Sequence, residues 1–542
     1  MLLFLVFVIV IGQEFDVIIV GAGLSGLTQL RLLRENGFNA IVLEQGDDIG
    51  GTWFFNKYPG ARVDVRNHDY YMHHPDLNKA WNFSEEFSSQ PELLQYIHRM
   101  NDIFNLKQHI HLKSPVTSMC WNTYSKSWQV FSNNKIYNTK FVILATGPLS
   151  KPNKPTFQGL NDFEGPIYYS SQWPSSFIDF AYKRVGIMGT GSTGVQMIPI
   201  IAKSNVKNLT VFQRTPNYVF PLRNKPINGT TFDKEERRRQ AFASPSGIPL
   251  HNSQGIPYAQ LGRKKFMEQL KYYYQNVGGF DFMFSIVTDL VINPDADLVI
   301  QDFIRGKISE VVKNPLTAKK LSPNYGYICK RPLLGTNYYE TYNQPNVNLI
   351  DMPIDRFVKD GVIVNGVHHE LDMFIFATGF DALVGAINDI HIVGENGRVL
   401  KNKFDKYVKS YLGLATAGFP NLFHLVAFQS PSIFANMAVA IEHHTGWVTD
   451  LLVWMRKNNY QSVEARVAAE DDWVAYVDRL ARYTLWTREE CKSWYLGSNI
   501  AGKKRQFLGF CGMFSEYEQL CRDVADKNYK GFRFDRKMKD EL

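Results

Sequence analysis

The chain has 542 residues, of which 45% are hydrophobic and 14% aromatic, so it is long and apolar enough for roughly two or three domains with large cores. This composition excludes an intrinsically disordered protein. The formal net charge of +8 arises from 60 basic and 52 acidic residues that are interspersed along the chain, and this pattern does not predict a nucleic-acid-binding surface.

Each end of the chain carries a candidate targeting signal. Residues 2–11 form an apolar run that is too short to span a bilayer and has the length of a signal-peptide core, although no Lys or Arg precedes it. The chain ends in Lys-Asp-Glu-Leu at residues 539–542, a retrieval signal of the endoplasmic reticulum. Together these features predict a signal peptide at residues 1–12, a location in the endoplasmic reticulum lumen and no transmembrane segment in the mature chain. An uncleaved leader or a buried N-terminal strand is the alternative interpretation of the apolar run.

A glycine-rich turn follows the first predicted strand, residues 15–20, and precedes an amphipathic stretch at residues 27–34. The glycines of this turn are Gly21, Gly23 and Gly26. Strand, tight turn and helix in this order are typical of dinucleotide-binding units, whose glycines let the backbone approach a pyrophosphate at the positive end of the helix. Glu44 ends the next predicted strand, where a carboxylate accepts hydrogen bonds from ribose hydroxyls. The unit therefore predicts a site for FAD or NAD.

A second turn of the same kind follows the apolar residues 184–188. The residues expected to hold its nucleotide are Gly189, Gly191, Thr193 and Gly194. The next strand, residues 209–212, continues into Gln213, Arg214 and Thr215 instead of a carboxylate. An arginine here suits the additional 2′-phosphate of NADP, so this unit is expected to bind NADPH. Two dinucleotide sites in one chain indicate that hydride passes from NADPH to FAD, which then performs the useful reaction.

The predicted fold class is α/β, with two Rossmann-like dinucleotide-binding domains, for FAD and NADP, and a helical insertion in the NADP domain. Two strand-like runs, residues 140–144 and 373–376, both continue into Ala-Thr-Gly, whose small residues allow close backbone approach. The predicted boundaries are residues 13–150 and 385–534 for the FAD-binding domain, 151–225 and 323–384 for the NADP-binding domain, and 226–322 for the helical subdomain.

The five cysteines are an odd number without short spacings, and they do not predict a disulfide framework. A single bridge such as Cys511 to Cys521 stays open as an alternative. The sequence lacks the Cys-x-x-Cys pair that a flavin disulfide reductase needs. No metal site is predicted.

Residues 50–64, Gly-Gly-Thr-Trp-Phe-Phe-Asn-Lys-Tyr-Pro-Gly-Ala-Arg-Val-Asp, closely resemble the class B flavoprotein monooxygenases of the Baeyer-Villiger type, which are related to the flavin-containing monooxygenases. The similarity extends over about residues 15–534 and includes the segments at residues 145–150, 213–217, 377–381 and 493–499. The resemblance implies an enzyme that uses FAD and NADPH to insert one oxygen atom of O2 into a ketone through a flavin C4a-peroxide, giving an ester or lactone. It leaves the ketone unidentified.

The resemblance also implies roles for individual residues. Arg331 matches the family's active-site arginine, whose fixed charge stabilises negative charge on the reacting oxygens, and Asp64 matches the carboxylate that positions it. Lys330 joins Arg214 and Thr215 at positions expected to hold the NADP phosphates. Trp494 matches a loop tryptophan that closes over the nicotinamide, with a core aromatic as the alternative interpretation. The other implied cofactor contacts are those of Thr52, Trp53, Asp64, Tyr70 and Met437.

One segment distinguishes the Baeyer-Villiger group from its relatives. Its pattern of Phe, Gly, His and Trp stands here as Phe163, Gly165, Tyr169 and Trp173, so a tyrosine replaces the histidine. Trp173 favours the Baeyer-Villiger type. Tyr169 cannot titrate near neutral pH as histidine does, which leaves open a tolerated substitution or altered coupling. The alternatives are therefore an N- or S-oxygenating flavin monooxygenase, acting on amines or sulfides, and an uncoupled NADPH oxidase.

Overall fold

The structure is a computed structural model that describes residues 9–227, 233–244, 255–431 and 435–536. The predicted retrieval signal at residues 539–542 lies outside these ranges. The strands are, in chain order, β1 (Ile9–Val20), β2 (Ala40–Leu43), β3 (Ile110–His111), β4 (Val116–Asn122), β5 (Ser127–Ser132), β6 (Lys135–Leu144), β7 (Ile167–Tyr169), β8 (Arg184–Met188), β9 (Asn208–Phe212), β10 (Val219–Pro221), β11 (Leu333–Gly335), β12 (Val347–Ile350), β13 (Arg356–Val358), β14 (Gly361–Val364), β15 (Val367–Glu370), β16 (Met373–Phe376), β17 (His391–Val393), β18 (Leu422–His424), β19 (Tyr460–Ala465) and β20 (Phe532–Arg536).

The α-helices are, in chain order, α1 (Leu24–Glu35), α2 (Thr52–Phe55), α3 (Pro75–Ala80), α4 (Gln90–Ile103), α5 (Ser192–Ala202), α6 (Lys234–Ala243), α7 (Tyr258–Tyr272), α8 (Asp281–Ser285), α9 (Pro294–Val311), α10 (Pro315–Leu321), α11 (Tyr338–Thr341), α12 (Gly385–Asn388), α13 (Leu400–Lys406), α14 (Met437–Lys457), α15 (Val467–Arg482) and α16 (Phe514–Asp526). Two short 3-10 turns, Tyr327–Cys329 and Trp494–Leu496, contribute to the site.

The largest sheet is built from both ends of the chain. Its strand order is β17, β4, β5, β6, β1, β2, β3, and β18 also pairs with β6. β1 lies between β2 and β6 and is parallel to both, and α1 connects β1 to β2. Val17, Ile18 and Ile19 are fully buried in β1. Burial of successive residues shows that both faces of this central strand are covered, as in an α/β protein.

A second sheet contains five parallel strands in the order β12, β9, β8, β16, β7. α5 connects β8 to β9, as α1 connects the first pair of strands in the other sheet. The largest sheet is mixed, because β5 is antiparallel to both β4 and β6. Its parallel centre and the all-parallel second sheet, each with a connecting helix, agree with the predicted α/β class.

Helices fill most of the described part of residues 226–322. α6 to α10 lie there, and α7 packs on α9. Phe266 and Leu270 of α7 and Ile300 and Ile304 of α9 are fully buried, because apolar residues at three- and four-residue spacing form one face of each helix.

The prediction of a signal peptide at residues 1–12 is wrong. β1 begins at Ile9, which pairs with Lys135, and Val10 pairs with Ile136. The end of the apolar run therefore belongs to the central strand, as in the alternative interpretation. Within the described ranges, no helix has the length and apolar character needed to cross a bilayer, and no cluster of three or more His, Cys, Asp or Glu residues is arranged to hold a metal ion.

Candidate active site

The first glycine turn joins the C-terminal end of β1 to the N-terminus of α1. Gly21 has φ +107°, and a Cβ atom there would lie 2.6 Å from the carbonyl oxygen of Ala145. A Cβ at Gly26 would overlap the Gly21 oxygen, so both positions require glycine. α1 is preceded by Gly23, and no side chain of the described residues caps this helix end. The positive end of the helix is therefore available to an anionic group such as a pyrophosphate.

Glu44 lies directly after β2 and is buried. Its carboxylate accepts hydrogen bonds from the backbone N–H of Ala22 (2.6 Å) and of Gly46 (2.7 Å). Burial raises the pKa of Glu44, and these hydrogen bonds partly offset the increase. A carboxylate has about four lone-pair sites, so Glu44 can hold the turn and still accept hydrogen bonds from ribose hydroxyls.

The second turn repeats this geometry between β8 and α5. Gly189 has φ +113°, a Cβ there would overlap the Ala377 carbonyl oxygen, and a Cβ at Gly194 would overlap the Gly189 oxygen. Gly191 differs, because no described atom lies within 4 Å of a Cβ added there. Such space beside a helix N-terminus suits a pyrophosphate. Thr193, in the first turn of α5, hydrogen-bonds to Tyr58.

Two cations lie close to each other near the end of β9. Arg214 is exposed and Lys330 is half-buried, with its Nζ 4.8 Å from the centroid of the Tyr325 ring. Burial and the positive charge of Arg214 lower the pKa of Lys330 to about 8. The two like charges therefore repel each other, and a bound phosphate would relieve this repulsion. The carbonyl oxygen of Thr215 accepts a hydrogen bond from the Thr190 hydroxyl at 3.1 Å.

Arg331 and Asp64 form an ion pair with an Nη2 to Oδ2 distance of 2.8 Å, although 267 positions separate them in sequence. The guanidinium lies 5.3 Å from the centroid of the Phe280 ring and hydrogen-bonds to Tyr495. Burial lowers the pKa of Arg331, but Asp64 and Tyr495 raise it above its ordinary value, so this residue keeps its charge. Burial raises the pKa of Tyr495 to about 12, and its phenol is therefore neutral near pH 7.

The aromatic residues predicted to contact the cofactor lie next to this pair. Trp53 Nε1 donates a hydrogen bond to the Tyr70 hydroxyl at 3.1 Å. Burial, with a further contribution from the charge of Asp64, raises the pKa of Tyr70 to about 12. Thr52 begins α2 with an exposed side chain, whereas Met437 begins α14, a different element. The structure thus groups Trp53 and Tyr70 with Asp64.

Trp494 begins its 3-10 turn half-buried, and its ring centroid lies 4.3 Å from that of Tyr495. The sequence interpretation missed Tyr495, which contacts Arg331, and Tyr58, whose hydroxyl donates to Gln196 Oε1 at 2.9 Å. Both residues lie inside segments that resemble the family, and this is the only signal in the sequence that points to them.

Tyr169 and Trp173 are both packed against other aromatic side chains. The Tyr169 ring stacks on Phe376 with centroids 5.2 Å apart, and Lys154 Nζ lies 4.9 Å from its centroid. Trp173 is buried, with ring centroids 5.6 Å from Tyr168 and 6.4 Å from Phe180. Tyr169 therefore makes these contacts through the faces of its ring.

The cysteines do not pair as considered from the sequence. Cys329 and Cys491 form a disulfide across 162 positions, whereas Cys120, Cys511 and Cys521 are free thiols. The alternative bridge between Cys511 and Cys521 is therefore wrong. Their short separation in sequence does not indicate which cysteines the fold brings together.

Comparisons with known proteins place this geometry in a family. A family model described as pyridine nucleotide-disulphide oxidoreductase matches residues 18–195. A Baeyer-Villiger monooxygenase of Pseudooceanicola batsensis is 34% identical over 97% of this chain and 97% of that protein. Cyclohexanone 1,2-monooxygenase of Acinetobacter sp is 34% identical over 96% of both. The crystal structure of OTEMO in complex with FAD and NADP matches with a TM-score of 0.92 and 33% identity, covering 96% of this chain and 99% of that one.

The chain belongs to the Baeyer-Villiger monooxygenases. The structural match over almost the whole chain confirms the α/β fold with two Rossmann-like units that was predicted from the glycine turns. The expected location of this Baeyer-Villiger monooxygenase in the endoplasmic reticulum lumen is wrong. The two bacterial relatives named above match 96% or more of the chain, and a bacterial cell has no such compartment.

Proposed function

We propose that this chain uses FAD and NADPH to insert one oxygen atom of O2 into a ketone, forming an ester or a lactone. The observation that carries the proposal is the permanently charged Arg331, paired with Asp64 and touching Tyr495. Ketone oxidation develops negative charge on oxygen atoms, and a fixed guanidinium stabilises such charge. The names of the relatives support the same reaction class.

The residues present fit both nucleotides. We propose that FAD lies at the first turn, with its pyrophosphate at the N-terminus of α1 and its ribose at Glu44, and that NADPH lies at the second turn, with its 2′-phosphate between Arg214 and Lys330. When bound, FAD supplies the activation of O2, using electrons from NADPH. The domain boundaries and the helical subdomain stated above stay a proposal, supported by the two sheets and by α6 to α10.

In this proposal Asp64 is the positioning residue for Arg331. Its carboxylate holds one edge of the guanidinium, and Tyr495 provides a second contact. Arg331 then keeps its charge near the carbonyl oxygen of the ketone while that oxygen becomes negative. Trp53, Tyr70 and Trp494 would surround the reacting groups and exclude water.

The test replaces Arg331 by alanine and compares the variant with Arg184→Ala. The control arginine forms an ion pair with Asp372 at 2.7 Å, and its side chain is 26% exposed, against 30% for Arg331. It lies at the N-terminal end of β8, opposite the glycine turn. We expect Arg331→Ala to retain FAD reduction by NADPH in stopped-flow experiments and to lose ester formation, by at least about a hundredfold. Unchanged ester yield would refute the assignment.

The same assay tests the alternative reactions. A cyclic ketone, a thioether and an amine are offered in competition under labelled O2, and the products are analysed by mass spectrometry together with hydrogen peroxide release. The proposal predicts oxygen insertion into the ketone. Oxidation of the thioether or amine alone would indicate an S- or N-oxygenating enzyme, and peroxide release without product would indicate an uncoupled NADPH oxidase.

A further inference from the structure

One disulfide joins two segments of the proposed active site. Cys329 precedes Arg331 by two positions, and Cys491 precedes Tyr495 by four. The bond between the two cysteines spans 162 positions, with a Cα–Cα distance of 4.6 Å. The two cysteines are buried, with 2% and 0% of their surface exposed.

Each of the two segments also has backbone hydrogen bonds of its own. The 3-10 turn that ends at Cys329 is held by α9, because the backbone N–H of Ile328 donates to the buried Asp297 carboxylate at 3.0 Å. The other segment is held further along the chain, where the N–H of Leu508 donates to the Tyr495 carbonyl oxygen at 2.8 Å. Before Cys491, the N–H of Leu485 donates to the Val291 carbonyl oxygen at 2.9 Å, close to the start of α9. The disulfide therefore adds a covalent link where the two segments already meet.

Chain geometry limits how far the two side chains can move while the bond is intact. A residue extends the chain by at most about 3.6 Å, so the Cα of Arg331 stays within roughly 7 Å of Cys329, and that of Tyr495 within roughly 14 Å of Cys491. Without the bond, non-covalent contacts would have to hold the segments together, among them the hydrogen bond between Arg331 and Tyr495 and that from Leu485 to Val291. A hydrogen bond between a guanidinium and a neutral phenol is a weaker constraint than a covalent bond.

We propose that the disulfide between Cys329 and Cys491 is a positioning device for the oxygenation, because it fixes the Arg331 segment against the segment of Trp494 and Tyr495. This inference rests on the function proposed above. A misplacement of about 1 Å costs up to roughly a hundredfold in rate, so a covalent link this close to the reacting groups affects chemistry as well as stability. Because both cysteines are buried, thiols attack the bond slowly.

The main test uses the holoenzyme of the double variant Cys329→Ser with Cys491→Ser. The matched control is Cys511→Ser, which removes a free thiol from the same C-terminal part of the chain. We expect the double variant to make roughly tenfold less ester per NADPH consumed, with a matching increase in peroxide release. At saturating NADPH, the rate of FAD reduction should fall by less than the ester yield does, because the glycine turns proposed to hold the two nucleotides are untouched. The control should behave as the wild type.

A second measurement does not depend on activity. Hydrogen exchange, followed by mass spectrometry, should become faster in peptides covering residues 326–332 and 491–498 of the double variant, while peptides of β1 and α1 stay unchanged. If the double variant does not fold, the wild-type holoenzyme is treated with a dithiol. The dithiol gives two electrons and two protons to the bond, forming two cysteine thiols, and closes into its own disulfide.

The outcomes separate the inference from the proposed function. If the wild type formed no ester from any ketone, the proposed function would be refuted. The hydrogen-exchange experiment would still show whether the disulfide holds the two segments in place. The inference would be overturned if the ester yield per NADPH and the hydrogen exchange of the double variant, or of the fully reduced enzyme, equalled those of the wild type. The bond would then contribute only to stability. Peptide mapping that finds free thiols at both positions would overturn it as well.

Discussion

Raising the pH from 7 to 9 is expected to weaken the binding of NADPH through one residue, Lys330. Its pKa of about 8 lies below the ordinary 10.5 because the ammonium is buried and Arg214 is nearby. This difference corresponds to about 3 kcal/mol that charging Lys330 costs in the folded protein without nucleotide. Below about pH 8 the whole of this cost is subtracted from the free energy of unfolding. The cost disappears as the pH rises from 8 towards 10.5.

A 2′-phosphate would bind the charged form of Lys330. At pH 7 about 90% of the side chains are charged, and at pH 9 about 10% are, so the KM for NADPH should rise roughly tenfold between these pH values. NADH lacks the 2′-phosphate and should show little change in KM. Steady-state kinetics with both nucleotides at each pH measure the difference, with the ketone saturating.

Two variants test the assignment to this residue. Lys330→Met should raise the KM for NADPH at pH 7 and remove its rise towards pH 9, because no group remains to titrate. Arg214→Gln should move the rise to higher pH, because the repelling charge is gone. A KM for NADPH that stays constant from pH 7 to 9 in the wild type, or the same rise in Lys330→Met, would refute the reasoning.

Two further predictions follow from the surroundings of single residues. Gly191→Ala should leave the melting temperature unchanged, because no described atom lies within 4 Å of the new Cβ. It should nevertheless weaken NADPH binding by at least about tenfold. The control is Gly306→Ala, whose surroundings are equally open. Tyr169→Phe should keep the wild-type yield of ester per NADPH, because the ring faces make the contacts with Phe376 and Lys154, whereas Tyr169→Ala should lower the free energy of unfolding by about 3 kcal/mol. Product analysis measures the first effect and thermal unfolding the second. A lower ester yield per NADPH in Tyr169→Phe would show that the hydroxyl matters.

The sequence predicts the two nucleotide turns well because each depends on neighbouring residues. Gly21 and Gly189 both have positive φ and both lie against an Ala-Thr-Gly segment, at Ala145 and Ala377 respectively. Strand periodicity and glycine spacing carry this information locally. The same local reasoning misassigned the N-terminus, because an apolar run of this kind is typical both of a signal-peptide core and of a central strand that is covered on both faces.

Contacts between distant residues could not be predicted in this way. Arg331 with Asp64, 267 positions apart, was found only through the family resemblance. The disulfide between Cys329 and Cys491 carries no such signal, because it is not part of the segments that the resemblance used. Its partners are set by the packing of α9 against the C-terminal part of the chain, and pairing of this kind depends on the folded backbone.

The segment from Tyr58 to Asp64 explains why one short motif is so informative about the whole protein. Tyr58 donates to Gln196 on α5, the Gln196 amide donates to the Arg62 carbonyl oxygen at 3.1 Å, and a Cβ at Gly60 would lie 2.6 Å from the Gln196 carbonyl oxygen. At its end, Asp64 holds Arg331. One segment of the first unit therefore touches the helix proposed to bind NADPH and the arginine proposed to act on the ketone. Because hydride transfer requires the two cofactors to keep a fixed relative position, a change in the shape of this segment would disturb both steps at once.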